Sequence, residues 1–202
     1  MQTINRLKSN RPRKKHDFYE TPYELAREAI KVVFLDEKMN PKIRGLDAGS
    51  GGGVWGKAFK NWFPDSPNVG IDINAPFTDD NYTSVIKNDF LVKSVPSGYG
   101  FDLVYGNPPY SLAEEFVRRG LEVGKYVYFL LRLAFLESQK RHFGLYSEFP
   151  PKRVYVLSRR PSFFSSNGKR KTTDALSYAM FLWQKGYKGK PELDWLYWEY
   201  DK

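Results

Sequence analysis

The segment Ile43-Arg44-Gly45-Leu46-Asp47-Ala48 runs into Gly49-Ser50-Gly51-Gly52-Gly53 and then into helix-compatible residues up to Trp62, and no other stretch narrows the possible folds as much. A short apolar run ahead of clustered glycines reads as a buried strand, and the residues beyond it as a helix opening on the glycine turn. Glycines there permit positive φ and close backbone approach, while the first helical amides face whatever occupies the turn. A glycine-rich turn can also close a purely structural unit, so the motif gains weight only from its surroundings. One such neighbour is Val69-Gly70-Ile71-Asp72-Ile73, a second apolar run whose acid can accept both hydroxyls of a ribose. The alternative for Asp72 is a turn residue capping the strand end beside Asn74.

The same alternation continues. Thr21-Pro22-Tyr23-Glu24 has the form of a capping box, and Ala26, Ala29, Ile30 and Val33 recur at helical spacing, which predicts a helix over about 22–35. Residues 84–90 read as a third strand ending in Asp89-Phe90. Residues 101–105 read as a fourth, reaching Asn107-Pro108-Pro109-Tyr110. Ser111 and Glu114 suggest another capping box before a helix to about Gly124, and Tyr126 to Leu131 is a fifth strand, buried on both faces. Residues 134–147 read as helical up to Pro150-Pro151. Two further strands, 154–159 and 175–183, flank a polar loop carrying Lys169, Arg170 and Lys171 and should pair antiparallel. Strands alternating with helices predict an α/β fold with a mostly parallel sheet.

Composition bounds the rest. A chain of 202 residues, 41% of them hydrophobic, fits one core. The expected organisation is a basic arm over 1–16, a single catalytic domain over 17–190 and a C-terminal tail over 191–202. The net charge of +9 favours a polyanionic partner. Arg6, Lys8, Arg11, Arg13, Lys14 and Lys15 crowd the arm with no acid among them; a solvated tail is the alternative reading. The absence of cysteine excludes thiolate zinc sites and every cysteine-nucleophile mechanism, cytosine-C5 methylation included. His16 and His142 have no ligand-like spacing, so no metal is expected. No apolar stretch of spanning length is present, and a cytoplasmic protein without membrane contact is the expectation. Nothing speaks to oligomeric state, and a monomer is the default.

Asn107-Pro108-Pro109-Tyr110 suits a difficult target, an amine whose lone pair is conjugated into a ring. The Asn107 side-chain oxygen and the Pro108 carbonyl can accept its hydrogens. Held out of water, two acceptors pull the nitrogen toward tetrahedral geometry and stabilise the charge that develops on alkylation. Pro108 and Pro109 stiffen the turn, and Tyr110 offers a face for stacking. Asp89 and Phe90 could supply an acceptor and an aromatic edge for an adenine, or be a turn acid and a core ring.

Together these residues resemble the amino-methyltransferases of the class I S-adenosylmethionine-dependent fold, most closely the adenine-N6 DNA methyltransferases, including small bacteriophage ones, over about residues 17–186. The resemblance implies a Rossmann-like seven-stranded sheet with an antiparallel last strand and helices on both faces. It implies S-adenosyl-L-methionine as cofactor, with Asp47, Gly49, Ser50, Gly51 and Gly53 in the cofactor loop, Asp72 and Ile73 at the ribose, and Asp89 and Phe90 at the adenine. Tyr19, Thr21 and Pro22 would close over the methionine part, and Asn107 would touch both cofactor and amine. Asn107 to Tyr110 would be the catalytic tetrapeptide. Phe163, with Phe164 as alternative, sits where the family stacks a flipped-out base; core packing is the other reading for both. Lys169, Arg170 and Lys171 would contact phosphates.

The missing target-recognition module implies short or relaxed specificity. The tetrapeptide also serves RNA amines and protein glutamine, so the substrates rank DNA first, RNA second and protein glutamine third. A basic nucleic-acid-binding module with a decayed site is the non-enzymatic alternative.

Overall fold

In a computed structural model, which describes residues 20–75, 79–92, 95, 100–163 and 176–201, eight strands form one sheet. The strands are β1 (Gly45–Ala48), β2 (Asn68–Asp72), β3 (Ser84–Lys87), β4 (Phe101–Gly106), β5 (Gly124–Arg132), β6 (Arg153–Leu157), β7 (Tyr178–Gln184) and β8 (Glu192–Leu196). Their order is β3-β2-β1-β4-β5-β7-β6-β8. Only β7 runs against the others: it pairs antiparallel with β5 and β6, while β8 is parallel to β6. The expected antiparallel seventh strand is therefore present, and an eighth follows it. Residues 191–202, expected as a tail, include that strand and bury Leu196 and Trp198 in the core.

Alternation along the central strands explains why both faces are covered. On β5, Tyr126, Tyr128 and Leu130 face one cluster, while Val127, Phe129 and Leu131 face the other. The first cluster is capped by α1 (Tyr23–Asp36) and α2 (Val54–Trp62), through Leu25, Ala29, Ile30, Val33, Trp55 and Phe59. The second is capped by α3 (Ala113–Val123), through Phe116, Val117 and Leu121. Burial on both faces is what a parallel sheet requires.

Three local expectations are corrected. Neither capping box forms: Pro22 and Leu112 precede α1 and α3 without a side-chain cap, and Ser111 lies in a 3-10 turn, Tyr110–Leu112. The predicted helix over 134–147 is broken into a 3-10 turn (Leu133–Leu136), a single α turn (Gln139–Arg141) and a π turn (His142–Tyr146). The break falls at Ser138, whose φ is 113°, and the Arg141 guanidinium donates to the carbonyls of Ala134, Phe135 and Glu137 that a continuous helix would have paired.

Candidate active site

The glycine loop and Asn107 leave the carboxyl ends of neighbouring strands, since β1 pairs in parallel with β4 on one side and with β2 on the other. The connections after β1 and β4 depart to opposite faces of the sheet, through α2 and α3. Open α/β sheets bind ligands at such a switch point.

The loop is fixed by main-chain bonds. Gly49 and Ser50 amides donate to the Ile71 carbonyl at 2.8 and 3.1 Å, and the Gly53 amide donates to the Ser50 carbonyl at 2.8 Å. Gly53 enters α2 at φ 82°, and a side chain there would collide with the Asp79 carboxylate. Gly106, with φ 136°, is the second position where only glycine fits: a Cβ would lie 2.8 Å from Asp47 Oδ1, so Asn107 is delivered right beside the buried end of β1.

Asp47 is fully buried and accepts a hydrogen bond from the Tyr82 hydroxyl at 2.6 Å. Burial pushes its carboxyl up to about 7, opposed by the Tyr82 bond and reinforced by the negative charges of Asp72 and Asp79. Burial together with the Asp47 charge drives the Tyr82 hydroxyl far upward, so Tyr82 remains a donor. Asp72 Oδ2 receives the Gly51 amide at 3.4 Å and its Oδ1 receives the Asn74 amide at 2.7 Å, so the turn role and a place beside the loop coexist. Glu20 brings a carboxylate oxygen to within 3.0 Å of where a Gly52 side chain would start. The loop is thus ringed by Glu20, Asp47, Asp72 and Asp79. A pyrophosphate would be repelled there; a ligand carrying positive charge and hydroxyls suits the donor set.

Thr21 joins the two halves. Its hydroxyl oxygen accepts from Trp55 Nε1 at 3.1 Å and from Asn107 Nδ2 at 3.3 Å. Because the Trp55 ring nitrogen only donates, Thr21 must accept there, and its second lone pair holds the Asn107 amide with Oδ1 turned away from it. Tyr110 buries its hydroxyl beside the Tyr178 and Asn107 side chains, and burial raises its pKa well above the usual phenol value. The Arg132 guanidinium, from the end of β5, lies 5.0 Å over the Tyr110 ring, and the Tyr178 ring is 5.7 Å away. Pro108 is buried, and the Pro109 carbonyl accepts the Leu112 amide at 2.9 Å.

Other expected residues fall elsewhere. Phe163, expected to stack on a base, is 2% exposed and packs edge-on against Tyr178 at 5.2 Å, so it is a core ring. Phe90 is equally buried, 5.1 Å from Phe116, and Asp89 accepts the Leu91 amide as a turn acid at 3.0 Å. Ile73 follows the end of β2 in the turn with Asn74. Tyr19, Phe164, Lys169, Arg170, Lys171 and the 1–16 arm lie outside the described residues. Sequence reading missed Glu20, Trp55, Asp79, Tyr82 and Arg132. Among the described residues there is no cluster of metal-ligating side chains and no helix long and apolar enough to cross a membrane.

No protein-family profile matches the chain, and no curated protein sequence matches it. Solved structures do. A Pyrococcus horikoshii protein provisionally assigned as an RNA methyltransferase superposes with a TM-score of 0.61 at 14% identity, over 87% of this chain and 91% of its own. A Listeria monocytogenes protein provisionally assigned as a class I S-adenosylmethionine-dependent methyltransferase gives 0.62 at 12% identity, over 88% and 64%. The 23S rRNA methyltransferase ErmE gives 0.53 at 17%, over 86% and 71%. The chain has the Rossmann-like class I methyltransferase fold, as the resemblance implied, on the α/β alternation that the strand and helix pattern predicted.

Proposed function

We propose that this chain is an S-adenosylmethionine-dependent methyltransferase that modifies an exocyclic amine, with N6 of a flipped-out adenine in DNA as its substrate. The observation that carries the reading is the Thr21 bond to the Asn107 amide, which orients the Asn107 oxygen beside the acid-ringed glycine loop. The acids support a cationic sulfonium cofactor: Asp72, beside the Gly51 amide, would accept the ribose hydroxyls, and Glu20, Asp79 and ionised Asp47 would supply negative charge around the loop. The cofactor supplies an electrophilic methyl group. Asn107 Oδ1 and the Pro108 carbonyl would accept hydrogen bonds from the two amine N–H groups and stabilise positive charge on nitrogen as the N–C bond forms and the S–C bond breaks, the thioether leaving neutral and the surplus N–H proton passing to solvent. Pro108 and Pro109 hold both acceptors without reorganisation.

DNA stands first by the resemblance of the N-terminal segment that includes Thr21 and Pro22, and the net charge of +9 supports a nucleic acid over a protein substrate. RNA is the second reading, favoured by two of the superposed structures, which are described as RNA methyltransferases. Tritium transfer from labelled cofactor into duplex DNA, RNA and a protein extract separates the classes: label in DNA is expected, and silence there with label in RNA overturns the substrate. Asn107→Ala should abolish transfer and leave cofactor affinity unchanged; undiminished turnover would remove Asn107 from the chemistry. Relaxed specificity is part of the proposal, and a long strict motif in methylation mapping would refute it.

A further inference from the structure

The strand β8 ends the sheet, and no described residue pairs with its outer edge. The parallel ladder to β6 begins with the Glu192 amide donating to the Lys152 carbonyl and ends with the Ser158 amide donating to the Leu196 carbonyl. Even-numbered residues therefore spend their main-chain groups on β6, and Leu193 and Trp195 point theirs outward. The side chains at these odd positions are also the exposed ones: Leu193 is 59% exposed, Trp195 66% and Tyr197, next in the row, 68%. An edge strand of a water-soluble sheet usually carries lysine, proline or a bulge along such a row; here Pro191 stands only at its start, and the apolar run Leu193, Trp195, Tyr197 beyond it marks an interface.

We propose that this edge pairs with the same edge of a second copy of the chain, antiparallel about a two-fold axis at Trp195. Three properties select that occupant. The outward groups repeat every second residue, so Trp195 opposite Trp195 and Leu193 opposite Tyr197 form a self-complementary hydrogen-bonded ladder. Residues directly opposite in an antiparallel pair share a face, so the same register brings both apolar rows together. The approaches to the strand differ in sign: Lys185, Lys188 and Lys190 precede it, and Glu199, Asp201 and Lys202, with a net negative charge, follow it. Antiparallel pairing sets Lys190 opposite Tyr200, between Glu199 and Asp201 of the other copy, whereas parallel pairing would align like charges. The merged sheet would point the two sets of strand carboxyl ends in opposite directions, so the two candidate sites would face away from each other.

The chain has no cysteine, which allows a direct test on the full-length protein. Hydrogen-bonded antiparallel partners have Cα atoms about 5.5 Å apart, within disulfide range. Trp195→Cys should form an interchain disulfide under mild oxidation, while Phe143→Cys, on another exposed ring, should not. Sedimentation should give two copies for the wild-type chain and one for Trp195→Lys, with an unchanged circular dichroism spectrum and a melting temperature that rises with concentration for the wild-type chain alone. A wild-type monomer at every accessible concentration, a dimer that survives Trp195→Lys, or equal cross-linking of the two cysteine variants would each overturn the proposal.

Discussion

Replacing Thr21 by valine keeps the shape of the side chain and deletes one oxygen, and that oxygen holds two groups far apart in sequence. Thr21 is buried, and Trp55 Nε1 is left without its acceptor. A buried donor stripped of its partner costs about 1–3 kcal/mol. At roughly 2–4 °C per kcal/mol for a chain of this size, the melting temperature should fall by about 2–12 °C. The second loss is the bond to Asn107 Nδ2. Its net worth of about 0.5–1.5 kcal/mol, if expressed only when the amine is being alkylated, lowers kcat roughly two- to tenfold with KM for the cofactor unchanged. Thr21→Ser should restore both. Adding Trp55→Phe to Thr21→Val should recover part of the stability, because the stranded donor is gone, and none of the turnover. Calorimetry and single-turnover methyl transfer on the four proteins give the answer. If Thr21→Val melts lower yet turns over at the wild-type rate, Thr21 serves stability alone and the orientation of Asn107 comes from elsewhere.

Asp47 makes stability depend on pH. Its folded pKa of about 7 lies above the ordinary carboxylate value of 3.8, so between these limits the folded state binds more protons than the unfolded one and stability falls as pH rises, levelling off above 7. Denaturant titrations should find Asp47→Asn more stable than wild type at pH 8, with the gap closing toward pH 5; an equal gap at both would refute a buried titrating Asp47. Since a cationic cofactor favours the ionised form, its affinity for the wild-type chain should rise through the same window, and for Asp47→Asn it should stay flat. Arg132→Ala should raise KM for the nucleic acid several-fold and reduce the salt dependence of binding by about one counterion, with little change in kcat. An unaltered KM would leave the Arg132 contact with Tyr110 as packing only.

What could be read in the sequence was local. Apolar runs marked the central strands, because burial on both faces writes itself into consecutive residues, while the partly exposed β3 showed only as Val85-Ile86 ahead of Asp89-Phe90; the glycine loop and Asn107 were visible because each requirement lies within a few positions. The contacts that assemble the site are distant. Thr21 meets Trp55 across 34 positions and Asn107 across 86, and Tyr82 meets Asp47 across 35, with no periodicity linking them. Distance also explains the capping boxes that do not form. Thr21 looked like a helix cap only while its tertiary partners were unknown, and local propensity yields when a buried indole donor competes for the same oxygen. The strand β8 was legible in part: Leu193, Trp195 and Tyr197 alternate with Glu192 and Asp194, but an apolar row that faces solvent carries no mark separating it from a tail.

The charges along the strand ends follow an order that the net value of +9 conceals. Moving across the sheet from β2 to β1, the carboxyl ends present Asp72 and then Asp47, with Asp79 and Glu20 beside the loop between β1 and α2. The next strand end, on β4, is the uncharged Asn107, and the one after it, on β5, is Arg132. A cation and a polyanion are thus drawn to opposite sides of the same amide. The proposed methyl transfer from a sulfonium to a base carried on phosphates fits this arrangement, since either partner placed on the wrong side would meet like charge. The glycine loop alone is compatible with dinucleotide binding, where phosphates sit on the helix N-terminus. Carboxylates around it oppose that use, and under the proposed function the acid set, more than the glycines, is the feature that suits this loop to a cationic cofactor.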